Sequence, residues 1–113
     1  MILYRRVLDN QSINSTDPID LTQAFDVSVF RELHFILTVV SAGEGENAKI
    51  EVKHAHINEE KAYRSFATPV EADLTTTSDA WFAITSFTRF VYWFVTGTLS
   101  ADAVIILDLV AKS

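Results

Sequence analysis

Three histidines are the residues of this 113-residue chain best suited to chemistry. His54 and His56 lie two apart in a stretch that reads as extended, so both imidazoles would project from one face of a strand. His34 falls on what reads as a neighbouring strand. Three converging imidazoles can hold zinc and leave a fourth position open to water. The pattern falls short of that requirement. No carboxylate stands at a diagnostic interval, no residue is placed to orient the rings, and two ligands on one strand underdetermine a centre. The pair serves as well to close a strand end, and neither a metal nor any other cofactor is expected.

The carboxylates point the same way. Glu44, Glu46, Glu59 and Glu60 could supply a calcium loop or a catalytic pair, but no Asp-rich, Gly-pivoted loop surrounds them. They read as solvated turns whose charge keeps sheet edges apart, as do Asp9, Asp17 and Asp20. Gly-x-Ser-x-Gly is absent, and the three glycines build no phosphate loop. The lack of cysteine removes thiol nucleophiles, thiolate metal sites and disulfides. No catalytic residue is assigned, and the chain is not expected to be an enzyme.

Fifteen Asp and Glu against nine Lys and Arg give a formal charge of -6, opposite to what a phosphate backbone attracts. Arg5, Arg6, Arg31, Arg64 and Arg89 are scattered among acids and suit ion pairs better than a nucleic-acid track. The opening Met-Ile-Leu-Tyr-Arg-Arg turns polar by Asp9, so no signal core forms. The most apolar stretch, Phe87 to Val95, is interrupted by Thr88 and Arg89 and is too short to span a bilayer. Neither nucleic acid nor membrane is expected as a partner.

The elements that would position any site are strands. Val, Ile and Thr number 31 and aromatics 13, residues that favour a pleated, half-buried backbone. Ile2 to Leu8 predicts a first strand, followed by a polar loop or extended arm from Asp9 to Asp20. Residues 19–30 suggest an irregular strand. Leu33 to Val40 and the run after Asn47 alternate cleanly and read as a hairpin about the acidic, Gly-containing loop. Ala62 to Phe66 predicts a short strand broken by Thr68–Pro69, with a weak one at Val70 to Leu74. Further strands fall at Ala80 to Ile84, Arg89 to Val95 and Ala103 to Ala111, with a turn over 96–102. About eight short strands predict an all-β fold, an antiparallel β-sandwich of jelly-roll or immunoglobulin-like order. The chain divides into an N-terminal strand and arm, 1–24, and a sandwich domain, 25–113.

Some strands are apolar on both faces. Phe90, Tyr92 and Phe94 back onto Val91, Trp93 and Val95, while Ile105, Leu107 and Leu109 back onto Val104, Ile106 and Val110. One face of each packs inside, and the other needs cover from the N-terminal 30 residues folded back as a lid or from a second chain. The second chain is the favoured reading. Its candidate interface residues are Ile36, Val40, Trp81, Val91, Trp93, Val95, Val104 and Ile106. The aromatics Tyr63, Trp81, Phe82, Tyr92 and Trp93 could instead form a sugar-stacking platform, but they sit in long strands and favour packing.

Four segments carry a family likeness. Asp26-Val-Ser-Val-Phe-Arg-Glu-Leu-His-Phe-Ile-Leu-Thr-Val leads into Ala48-Lys-Ile-Glu-Val-Lys-His-Ala. Phe87-Thr-Arg-Phe-Val-Tyr-Trp-Phe-Val-Thr-Gly-Thr-Leu-Ser precedes Ile105-Ile-Leu-Asp-Leu-Val-Ala-Lys. This order resembles small β-sandwich virion proteins of tailed bacteriophages over about residues 25–112, with Val29 where a glycine is common and Tyr63 where a tryptophan is. The resemblance implies a structural virion component, capsid decoration first and a tail or adaptor protein next. A carbohydrate- or receptor-binding module is the alternative outside that family. The decoration role implies a homo-oligomer, a trimer foremost, with the major capsid protein as partner. Such a protein would be made in the host cytoplasm and located in the virion. It would stabilise the assembled lattice by binding that state alone.

Overall fold

A computed structural model describes residues 1–113. Eight strands form: β1 (Ile2–Ile13), β2 (Phe25–Asp26), β3 (Glu32–Ser41), β4 (Glu44–Ala55), β5 (Arg64–Asp73), β6 (Ser78–Ile84), β7 (Phe90–Ala101) and β8 (Ala103–Lys112). Two single 3-10 turns, Leu21–Gln23 and Glu60–Ala62, are the only helical elements. The strands make two antiparallel four-stranded sheets, one ordered β1-β8-β3-β6 and the other β2-β7-β4-β5. Strands alternate between the sheets except at the β4–β5 hairpin. That interleaving is the jelly-roll order of two Greek keys, and it excludes the immunoglobulin-like alternative.

The sheets close on a single main core. Leu33, Phe35, Leu37 and Val39 of β3 and Ile105, Leu107 and Leu109 of β8 point inward from one sheet; Ile50, Val52, Val70 and Val91 meet them from the other. Burying that many branched side chains, at about 1.5–3 kcal/mol each, is the main source of stability.

Four expectations about the chain path are corrected. β3 and β4 are not a hairpin: β3 pairs with β6 and β8, while β4 pairs with β5 and β7. The chain crosses between sheets at Ala42–Gly43, beside the β7-to-β8 crossing at Asp102. A Cβ on Gly43 would meet the Ala101 carbonyl oxygen at 2.5 Å, so glycine lets the two crossings touch. Pro69 does not break β5. This strand lies at a sheet edge, and the proline falls inside the register shift between the Val52–Val70 and Lys53–Ser65 pairs, where no ladder bond is required. β7 likewise continues through 96–101, absorbing Gly97 (φ +80°) as an irregularity opposite Asn47 (φ +51°). Finally, residues 1–24 do not stand apart from the sandwich. β1 runs the length of β8 as an edge strand of the same sheet.

Candidate functional site

The two outer faces of the sandwich have different fates. On the β7 side the outward residues are Phe90, Tyr92 and Phe94, and the chain covers them itself. Tyr92 and Phe94 form a small second cluster with Ala55 and Tyr63, and Leu21, Ala24 and Ala62 pack on it. The Tyr63 and Phe94 rings lie 5.1 Å apart, and Tyr92 meets Phe94 edge-on at 5.4 Å.

Hydrogen bonds hold this cover down. Tyr63 Oη donates to Asn58 Oδ1 at 2.7 Å, Asn58 Nδ2 donates to the Leu21 carbonyl at 2.9 Å, and the Asp20 amide donates to Tyr92 Oη at 3.3 Å. Burial, with Tyr92 alongside, pushes the Tyr63 phenol above its ordinary pKa. The lid, the less favoured explanation for this strand, is the one found.

Val91, Trp93 and Val95 therefore do not face outward as expected. Val91 is 2% exposed in the main core, and Trp93 and Val95 are half-buried against it. Both faces of β7 are apolar, so alternation could not tell which was the inside.

The other five candidates share one surface, the outer face of the β1-β8-β3-β6 sheet. Ile36, Val104 and Ile106 are half-buried there, and Val40 is exposed where β3 leaves register with β8. Trp81 stands beside Ile36 and is 69% exposed. Ile2 and Tyr4, which the sequence reading passed over, extend this surface along β1 and are also exposed. Their signal was in the sequence: Ile2, Tyr4 and Arg6 alternate on one face of the first strand.

Polar groups on this face are already matched. Trp81 Nε1 donates to His34 Nδ1 at 2.9 Å, and His34 Nε2 faces Glu32 Oε2 at 2.8 Å. Since Nδ1 accepts, the proton belongs on Nε2 and points at Glu32. His34, then Lys112 at 3.5 Å, hold the Glu32 carboxyl below its ordinary range. Arg6 makes a two-pronged contact with the buried Asp108, Nε to Oδ1 at 2.9 Å and Nη2 to Oδ2 at 3.2 Å. Thr38 donates to Asp79 at 3.1 Å. The face is thus a mix of aromatic, aliphatic and internally neutralised charged groups, a composition suited to protein contact.

The histidines do not converge. His34 lies on this outer face, whereas His54 belongs to the other sheet, stacked on Phe66 at 4.7 Å, and His56 is exposed beyond the end of β4. No three His, Asp or Glu side chains are arranged to hold a metal ion. Of the proposed sugar platform, Tyr63 and Tyr92 are buried, Phe82 and Trp93 half-buried, and Trp81 alone is exposed.

No protein-family model and no curated protein matches the chain. A solved structure described as "Bacillus endospore appendages form a novel family of disulfide-linked pili" is similar in fold, with a TM-score of 0.52. At 12% identity it covers 99% of this chain and 88% of the other.

Proposed function

We propose that this protein is a structural building block that works by assembling with copies of itself. The observation that carries this is the outer face that bears Trp81: an exposed indole, Tyr4, Ile2 and Val40 on a face where Arg6 is paired with Asp108 and Glu32 with His34 and Lys112. Exposed apolar area of that kind marks an interaction site. The similar fold among pilus-forming appendages is in keeping with a structural role. Those pili are described as disulfide-linked, but these 113 residues contain no cysteine, so copies of this chain would be held together by packing alone. Sedimentation velocity across a wide concentration range tests the proposal: a mass that rises with concentration is expected, and a concentration-independent monomer would refute it.

The specific role we assign is decoration of a phage head, with the major capsid protein as partner and the virion as location. Its support is the pattern over residues 26–39, 48–55, 87–100 and 105–112, together with a jelly-roll order common among viral capsid domains. Co-sedimentation with assembled shells of a major capsid protein, set against its unassembled subunits, checks this role. Binding to shells alone is the expected result.

A further inference from the structure

Strand register arranges the outer face of the β1-β8-β3-β6 sheet in rows that are unequal at their two ends. One row runs Tyr4, Val110, His34, Ala83, and the next runs Arg6, Asp108, Ile36, Trp81. The β1 edge therefore presents a bulky ring and then a flat ion pair, where the β6 edge presents a small side chain and then a bulky one.

We propose that two copies pack through this face about a two-fold axis parallel to the strands, midway between β8 and β3. This deepens the self-assembly reading and rests on it. The operation lays β6 of one copy over β1 of the other and keeps each row in line. The Trp81 indole then covers the Arg6–Asp108 pair of the second copy, and Tyr4 covers its Ala83. A contact of this kind is isologous, so each half is made twice.

Two observations favour it. Sheets that pack face to face cross by about 30°, which shifts an edge residue by only about one position and leaves these matches in reach. Four strands about 4.8 Å apart and about ten residues long project roughly 600 Å², more once side-chain relief is counted, close to the about 800 Å² per partner of a stable complex. Charge is compatible with it: this axis puts the Arg6 guanidinium under an indole, whereas a two-fold across the strands would set β1 on β1 with the rows reversed, Tyr4 over Arg6, an arrangement that crosslinking tells apart.

The test uses the full chain, whose lack of cysteine allows clean labelling. Tyr4→Cys and Ala83→Cys proteins are treated with a short bis-maleimide, separately and mixed. Each variant carries a single cysteine, so the reagent can only join two copies. A crosslinked dimer from the mixture, with little from either protein alone, is expected. In sedimentation, Trp81→Ala should weaken dimerisation about thirtyfold or more, because the two-fold makes the tryptophan contact twice and the substitution removes both. Circular dichroism confirms that each variant is folded. Efficient crosslinking of either single variant to itself would overturn this axis and leave self-assembly standing. So would a trimer whose mass Trp81→Ala does not change. A monomer at every concentration would overturn both.

Discussion

The indole N–H of Trp81 on β6 donates to His34 Nδ1 on β3, and the two rings meet edge to face at 5.7 Å. An exposed tryptophan is thereby held in one orientation on an open sheet, fixed before anything binds it. Preorganising an anchor reduces the entropy lost on association.

Removing that anchor should leave the fold intact. Trp81 is mostly exposed, so Trp81→Phe is expected to change unfolding free energy by about 1 kcal/mol or less, the scale of one surface hydrogen bond. Acrylamide quenching provides the check. The readily quenched emission should vanish with Trp81 and leave the shielded signal of Trp93.

The lid is more sensitive. Asn58 both accepts from Tyr63 and donates to Leu21, so Asn58→Ala breaks two bonds and strips the phenol of a buried tyrosine of its partner. A loss of about 1–3 kcal/mol is expected in urea unfolding. Hydrogen exchange should quicken over residues 17–24 before it changes in β3 or β8.

Gly97 occupies a left-handed conformation, and a Cβ there would run into the Asn47 carbonyl oxygen. Gly97→Ala is therefore expected to cost about 2 kcal/mol or more, from backbone strain and the clash together. A lowered urea midpoint with an unchanged slope would show it. The neighbouring Thr98→Ala, exposed and free of that strain, serves as the control.

His54 predicts how stability depends on pH. Burial against Phe66 lowers its pKa, and Nδ1 accepts from the Thr88 amide at 3.1 Å, both favouring the neutral ring. The unfolded chain takes up this proton near the ordinary value of about 6.5, and the folded chain only at lower pH. The contribution is therefore complete above about 6.5 and declines as the pH falls below it towards the folded value. Thermal melts from pH 7.5 to 5 should show the decline, and His54→Gln should flatten it.

Residue order alone was enough to name the class of fold. β-branched and aromatic residues in short alternating runs, with turn residues between, bury themselves by stacking sheets, and about eight strands were countable before any was placed. Pairing was another matter. The Leu33–Val40 and Ile50–Ala55 runs look like a hairpin because they are adjacent and alternate. They lie in different sheets because the crossing at Gly43 packs against the crossing at Asp102, a contact between residues some sixty positions apart.

The candidate surface was half legible for the same reason. Alternation divides a strand into two faces, but where both are apolar it carries no sign of which is inside. Val91, Trp93 and Val95 turned inward because the segments around Leu21 and Tyr63 cover Tyr92 and Phe94. None of residues 1–113 covers Trp81, and Ile36 beside it is only half-buried. Local periodicity is set by backbone geometry; the choice between faces is set by which distant segment arrives to exclude water.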